Sequence, residues 1–160
     1  MRTVLWLPQT GGYGARMRLD GFMLARYAEQ SPGGLVVAGG GWTTWNVTEP
    51  VPSEDGAAAP AAVIQGSVVC RLLLTPEESD ARHQLVLRLL DSDDTELSRG
   101  DLQLDVQRDR ELPRSWEQLA TIIVPLGWLP APTFGLYRFQ LETPDGELLG
   151  TAPFQVVKRY

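Results

Sequence analysis

The chain has 160 residues, with 20 acidic and 14 basic side chains, one histidine and one cysteine. This length suits one domain with a sizeable core, and no apolar run approaches the roughly 20 residues that a membrane-spanning helix needs. The net charge of −6 excludes a general nucleic-acid binder, which needs a positive surface, and the cysteine and histidine are too few for a structural zinc site or an internal disulfide.

Residues 1–18 are predicted to form an N-terminal extension. Its apolar run from Val4 to Leu7 is shorter than the roughly 7–15 residues of a secretory signal core. A lone cysteine fits a reducing compartment, so we expect a cytoplasmic protein with no membrane partner. The extension is either a flexible leader or an arm that docks on a neighbouring protein, with Trp6 and Tyr13 as its candidate contact residues.

From residue 19 onward the dominant period of apolar residues is two, which is typical of strands with one face in a core. Leu102, Leu104 and Val106, for example, alternate with polar residues. Turn-forming clusters separate these runs, and the strongest is Thr143-Pro144-Asp145-Gly146. Strands are predicted near residues 21–29, 35–46, 64–74, 84–90, 101–107, 122–126, 135–142 and 147–157.

These runs predict one all-β domain over residues 19–160. We expect an antiparallel β-sandwich, immunoglobulin-like or C2-like, of about eight strands, with a closed barrel as the alternative. The proline- and alanine-rich segment 49–62 has few large apolar side chains and is predicted to be a mobile surface loop. Single helical turns are predicted at 76–81 and within 110–118.

Three glycines, Gly39, Gly40 and Gly41, precede Trp42. A phosphate-binding loop needs a helix after its glycines, but the residues up to Trp45 continue as a strand, so no nucleotide-binding fingerprint is present. The glycines predict a bulge or the close approach of another group. Either a tryptophan fills this space or a partner segment lies over it, so all five residues are candidates for an interaction site.

Cys70 and His83 are the residues from which a nucleophile and its base would be built. No Gly-x-Ser-x-Gly elbow occurs, and His83 stands at the start of a strand with no visible nucleophile to serve. Cys70 shares a strand face with Val68 and Leu72, which predicts a buried, unreactive thiol. The sequence therefore predicts no catalytic residue and no enzyme.

Asp91, Asp93 and Asp94 lie in one predicted turn. Calcium binds six to eight oxygens, often from loop carboxylates, but this spacing lacks the glycine and the distal glutamate of an EF-hand loop. Aspartates also favour turns through their own hydrogen bonds. These are the residues that a calcium site would use, but a solvated turn is the preferred interpretation, and no metal or cofactor is predicted.

The chain has five tryptophans, which is many for its length. Aromatic rings on a sandwich can stack on sugars or anchor an interface, although core packing accounts for two or three of them. Trp6 lies in the extension and needs a pocket somewhere. It is the best candidate for a contact outside the core.

The segment from Leu35 to Thr43, with Met23-Leu24-Ala25 before it and Leu85 to Asp91 after it, resembles a family of small, uncharacterised bacterial β-sandwich proteins. Leu129-Pro130, Asp145-Gly146-Glu147 and Ala152-Pro153-Phe154 extend the resemblance, which covers about residues 19–157. It implies the sandwich fold and brings no known catalytic residue. The segment from Gly135 to Phe139 also resembles the tyrosine-corner strand of immunoglobulin-like domains, without the usual aspartate upstream of the glycine.

These observations predict a non-catalytic structural or protein-interaction module that forms a homo-oligomer or joins a larger assembly, such as a virion or tail-like particle. Pairing is expected through sheet edges, tryptophan contacts or the N-terminal arm. The alternative is a ligand-binding domain for carbohydrate or calcium.

Overall fold

The computed structural model describes residues 16–48, 51 and 59–159. These residues form eleven strands and no helix. None of them belongs to a helix long and apolar enough to cross a membrane. The strands are β1 (Arg18–Ser31), β2 (Gly34–Gly40), β3 (Thr44–Val47), β4 (Ala62–Ile64), β5 (Ser67–Leu74), β6 (Arg82–Asp91), β7 (Glu96–Asp105), β8 (Gln118–Pro125), β9 (Leu129–Ala131), β10 (Gly135–Glu142) and β11 (Leu148–Lys158).

The strands build two sheets with a common core. Sheet 1 has the strand order β2-β1-β5-β8, and sheet 2 has the order β3-β11-β10-β6-β7. All neighbours are antiparallel except β3 and β11, and β4 and β9 form a separate two-stranded ribbon. The predicted all-β antiparallel sandwich is confirmed.

The core lies between the inner faces of the two sheets and follows the period of two seen in the sequence. Leu72 in β5 and Leu141 in β10 are fully buried in it. Phe154 of β11 is 2% exposed, and its ring centroid lies 5.6 Å from that of Tyr137 and 5.7 Å from that of Phe139. The aromatic side chains of β10 and β11 therefore form a stacked group inside the sandwich.

The prediction of one strand over 35–46 is wrong, because the chain changes sheets within it. β2 ends at Gly40 beside β1, and β3 begins at Thr44 beside β11 in the other sheet. Gly39, in the last residues of β2, has φ +58°, and Gly41, just after β2, has φ +76°; residues with a side chain rarely adopt these backbone conformations. Gly66, with φ +123°, likewise divides the predicted strand 64–74 into β4 and β5.

The two predicted helical turns have different outcomes. The carbonyl of Thr75 accepts hydrogen bonds from the N–H groups of Glu78 and Ser79, each at 3.1 Å, which makes one turn that does not continue. Residues 110–118 instead follow tight turns, one of them closed by a 3.0 Å hydrogen bond from Trp116 N–H to the Pro113 carbonyl.

Tyr137 forms a tyrosine corner. Its hydroxyl donates to the carbonyl of Thr133 at 2.6 Å and accepts from the N–H of Thr133 at 3.1 Å. The side chain is 3% exposed, so the ring packs in the core while its hydroxyl ties down the turn before β10. The hydroxyl also lies 3.1 Å from Oγ1 of Thr133, so the backbone and side chain of Thr133 together hold the corner without the usual aspartate.

Tyr137→Phe will lower the free energy of unfolding by about 0.5–1.5 kcal/mol, because it removes the hydrogen bonds between the hydroxyl and the backbone of Thr133. Urea denaturation followed by fluorescence measures the loss. Tyr27→Phe is the matched control, since Tyr27 is 51% exposed and its hydroxyl bonds only to the exposed Glu29. Equal losses in both variants would contradict the structural role of the corner.

Candidate interaction surface

Neighbouring side chains leave no room for a Cβ at Gly39 and Gly40, whereas Gly41 has open space and is explained by its backbone angle, φ +76°. A Cβ on Gly39 would lie 2.8 Å from Cγ of Arg26, and one on Gly40 would lie 2.6 Å from Cγ1 of Val37. Gly41 donates its N–H to the carbonyl of Leu24 at 2.8 Å, which anchors the crossing to β1. The space is therefore taken by side chains of sheet 1, and the prediction that Trp42 or Trp45 fills it is wrong.

Trp42 and Trp45 close one end of the core. Their ring centroids are 5.3 Å apart, and that of Trp42 lies 5.6 Å from that of Phe154 in an edge-on arrangement. The guanidinium carbon of Arg26 lies 4.2 Å from the ring centroid of Trp45, a cation–π contact. Both rings are half-buried and serve packing first.

Two sequence candidates, Trp6 and Tyr13, lie outside the described residues, as do residues 1–15 and most of the predicted loop at 49–62. Their roles as an arm and as contact residues stay predictions.

The acidic turn is held by its own hydrogen bonds. Asp91 accepts from the N–H groups of Asp93 at 2.8 Å and Thr95 at 2.9 Å, and Asp94 binds the guanidinium of Arg138. Asp93 is exposed. Across the described ranges, no group of three or more histidine, cysteine or acidic side chains is placed to hold a metal ion.

Cys70 and His83 are not arranged as a catalytic pair. Cys70 is 0% exposed, and burial raises the pKa of its thiol to about 12. His83 is half-buried, with Nε2 2.7 Å from the carbonyl oxygen of Glu78. Each of the two side chains is thus accounted for by local structure.

The buried thiol gives a pH-dependent prediction. An exposed cysteine has a pKa of about 8.5, so above that pH the unfolded chain releases the thiol proton while the folded chain keeps it until about pH 12. Burial of the protonated Cys70 thiol therefore contributes fully to the free energy of unfolding below about pH 8.5, and this contribution is lost as the pH rises from there towards about 12.

The burial of Cys70 also predicts its reactivity. The native thiol will not react with Ellman's reagent near neutral pH and will react fully in concentrated urea, which unfolds the chain. Rapid reaction of the folded chain would contradict its burial.

Sheet 1 has an apolar outer face. Leu24 and Val68 belong to the core cluster, so the residues that alternate with them point away from the core. Val69 is in register between Met23 and Ile123 on this face, and it is buried although it is outside the core cluster. The apolar residues of the face are Met23, Ala25, Tyr27, Val36, Ala38, Val69, Leu73, Leu119 and Ile123, and we call them the sheet 1 face.

The outer face of sheet 2 is charged by contrast. Arg88 lies 3.3 Å from Glu96 and 3.3 Å from Glu142, measured between guanidinium nitrogens and carboxylate oxygens. These ion pairs join β6, β7 and β10 across the strands. Such ion pairs suit a surface in contact with water, although sheet 2 also has two exposed leucines, Leu136 at 63% and Leu148 at 52%.

The four sheet edges also differ. β7 carries Glu96, Arg99, Asp101 and Asp105, β3 has four residues, and β2 contains three glycines in seven residues. Charge, shortness and irregular backbone all prevent unwanted strand pairing. β8 has none of these devices: its eight residues pair with β5 without a register shift and include no charge and no glycine.

Sequence reasoning predicted a strand at 122–126, but not that β8 begins at Gln118, that it is a sheet edge, or that exposed aromatic residues flank it. Trp116 before β8 is 43% exposed and Trp128 after it is 79% exposed, so both are more accessible than the half-buried Trp42. The available signal was the uncharged run from Gln118 to Trp128. It becomes informative once β8 is known to be an edge.

Comparison with known proteins gives a family and, among solved structures, matches of low similarity. A model of a family of unknown function, DUF6941, matches residues 20–157. No curated protein matches the chain. An immunoglobulin-like protein from Pseudomonas aeruginosa is 14% identical, covering 91% of this chain and 100% of its own, with a TM-score of 0.40. A β-glucuronidase from glycoside hydrolase family 2 is 11% identical, covering 72% of this chain and 13% of its own, with a TM-score of 0.28.

Proposed function

The chain belongs to DUF6941, a family of unknown function, and we propose that it is a non-catalytic β-sandwich module that binds another protein chain through sheet 1. In this proposal it acts as a subunit of an assembly of several chains. The observation that carries the proposal is the uncharged edge strand β8 beside the sheet 1 face.

Exposed apolar side chains on this face support a protein partner. Tyr27 is 51% exposed, Val36 is 45% exposed and Leu119 is 41% exposed. Contiguous apolar surface bordered by polar groups marks interaction sites in soluble proteins. An uncharged edge strand adds unpaired backbone donors and acceptors that another strand can use.

The ligand-binding alternative has less support from the described residues. In the acidic turn, the Asp91 carboxylate is engaged within the turn and that of Asp94 with Arg138. A surface cleft of about 350 Å³ is lined by polar side chains such as Gln84, Arg99 and Gln103, and it includes no aromatic ring on which a sugar could stack.

Cross-linking in the native host tests the proposed function. The full chain, tagged, is cross-linked and isolated as the wild type, as Leu119→Glu and as Leu148→Glu. Leu119 in β8 and Leu148 in β11 are 41% and 52% exposed, so the same change is made at similar exposure on the two sheets. We expect a stoichiometric partner chain, either a second copy or a different protein, with the wild type and Leu148→Glu but not with Leu119→Glu. Recovery of the bare monomer from the wild type, or equal recovery from all three, would contradict the proposal.

A further inference from the structure

Along the outer side of β8, a regular row of backbone donors and acceptors has no strand beside it among residues 16–48, 51 and 59–159. Leu126 donates its N–H to the carbonyl of Gly66 at 2.9 Å, next to the register pair Ser67 and Pro125. Because backbone groups alternate sides along a strand, the even-numbered residues of β8 bond to β5. The N–H and carbonyl groups of Leu119, Thr121 and Ile123 therefore point away from the sheet.

The position of Pro125 agrees with this alternation of inward and outward backbone groups. This residue occupies an outward position at the end of β8, where its missing N–H takes nothing from the pairing with β5. The outward row that can form a complete ladder is thus limited to the three residues before it.

The chemistry of this edge suits a second copy of the same strand. Gln118–Pro125 contains no acidic or basic side chain, so two copies can align without placing like charges together. β7, with three acids and one arginine, would oppose like charges in many registers. Because β8 has no charge, it offers no electrostatic attraction to a charged partner. A second copy does not depend on such attraction, because a twofold axis places each outward backbone donor of one strand opposite an acceptor of the other.

The position of the twofold axis follows from the proline. An axis at Thr121 pairs Leu119 with Ile123 of the partner subunit and Thr121 with its own copy, so all three outward residues take part. An axis at Ile122 would instead place Leu119 opposite Pro125 of the partner subunit, which has no N–H to donate.

We propose that two copies of this chain pair antiparallel through β8 about a twofold axis at Thr121, and so join two four-stranded sheets into one sheet of eight strands. This inference rests on the proposed function and names the partner. In the dimer the two sheet 1 faces lie side by side, with Leu119 and Ile123 of the partner subunit in contact at the centre and Arg71 of each chain beside Thr121.

Thr121→Glu tests the dimer without disturbing the monomer. Thr121 is in register with Arg71 of β5, which also pairs with Asp20 at 3.2 Å, so a glutamate has a cation beside it within its own chain, while in the dimer two glutamates face each other across the axis. Thr151→Glu makes the same change at an exposed position of β11 in sheet 2. Sedimentation over a dilution series will show a concentration-dependent doubling of mass for the wild type and Thr151→Glu. The dissociation constant of Thr121→Glu will be at least about tenfold higher.

Amide hydrogen exchange gives a second, residue-specific measurement. The N–H groups of Ala120, Ile122 and Val124 bond to β5 and will be protected in all variants, which shows that sheet 1 is folded. Those of Leu119, Thr121 and Ile123 will be protected in the concentrated wild type and will lose protection on dilution or in Thr121→Glu.

Three results would overturn the inference. They are a wild type that is monomeric at every concentration, a dimer that Thr121→Glu leaves intact, and outward amides that stay protected in a monomer, which would assign the position beside β8 to another segment of the chain. If in any of these cases cross-linking still captures a partner that Leu119→Glu loses, the proposed function stands and only its assignment to a β8 dimer fails. If neither experiment finds a partner, both fail.

Discussion

Phe154→Ala will lower the free energy of unfolding by about 3–5 kcal/mol, the range expected for removing a buried phenylalanine ring. Phe154 is 2% exposed, and its ring meets those of Tyr137, Phe139 and Trp42 at centroid distances of 5.6, 5.7 and 5.6 Å. These rings belong to β10, β11 and the segment before β3, and they cannot close together over the space without moving those strands. Urea denaturation measures the loss as a lower midpoint with an unchanged slope.

Phe134→Ala is the matched control for this prediction. Phe134 is 43% exposed and lies in the turn before β10, so its truncation will change the free energy of unfolding by no more than about 0.5 kcal/mol. A loss below about 1.5 kcal/mol for Phe154→Ala would mean that the aromatic group rearranges to fill the cavity and does not hold the sandwich together.

The inner faces of the strands were predictable because their pattern is local. In β11, Ala152, Phe154 and Val156 alternate with polar or exposed residues, and each is buried. The tyrosine corner was also predictable from the spacing of Gly135, Tyr137 and Phe139, since its hydrogen bonds reach only four residues back. Local spacing decides such features, so one sequence suffices to find them.

The change of sheets at the glycine run was not predictable in the same way. Glycine permits positive φ, and the sequence shows that freedom at Gly39 and Gly41, but it does not show where the chain goes next. The direction is set by distant contacts, such as the hydrogen bond from Gly41 to Leu24 and the pairing of β3 with β11. A period of two continues on both sides of the break and conceals it.

The candidate surface was hidden for a related reason. The strand order β2-β1-β5-β8 joins segments far apart in the chain, so no local pattern tells that β8 is an edge. Trp42 and Trp45 were candidate interaction residues because they are large rings beside glycines, yet they pack against Phe154 and Arg26. Leu119 and Ile123 could not be recognised as surface residues from the sequence, because apolar residues of an edge strand resemble core residues until the strand order is known.

Gly66→Ala will lower the free energy of unfolding by at least about 3 kcal/mol, from backbone strain and overpacking together. Gly66 has φ +123°, and a Cβ there would lie 2.3 Å from the carbonyl oxygen of Ala25. This oxygen belongs to the backbone of β1 where it pairs with β5, so it cannot turn aside as a flexible side chain can. The carbonyl of Gly66 also accepts the hydrogen bond from Leu126 that extends the pairing of β8.

Gly34→Ala separates the two causes. Gly34 has nearly the same backbone angle, φ +120°, but a Cβ there meets nothing within 4 Å. This variant will therefore show the strain alone, about 1–3 kcal/mol, and the difference between the two variants in urea denaturation measures the contact with Ala25. If both variants lose the same free energy, the close approach of β1 to Gly66 contributes nothing, and the need for glycine at this position comes from its backbone angle alone.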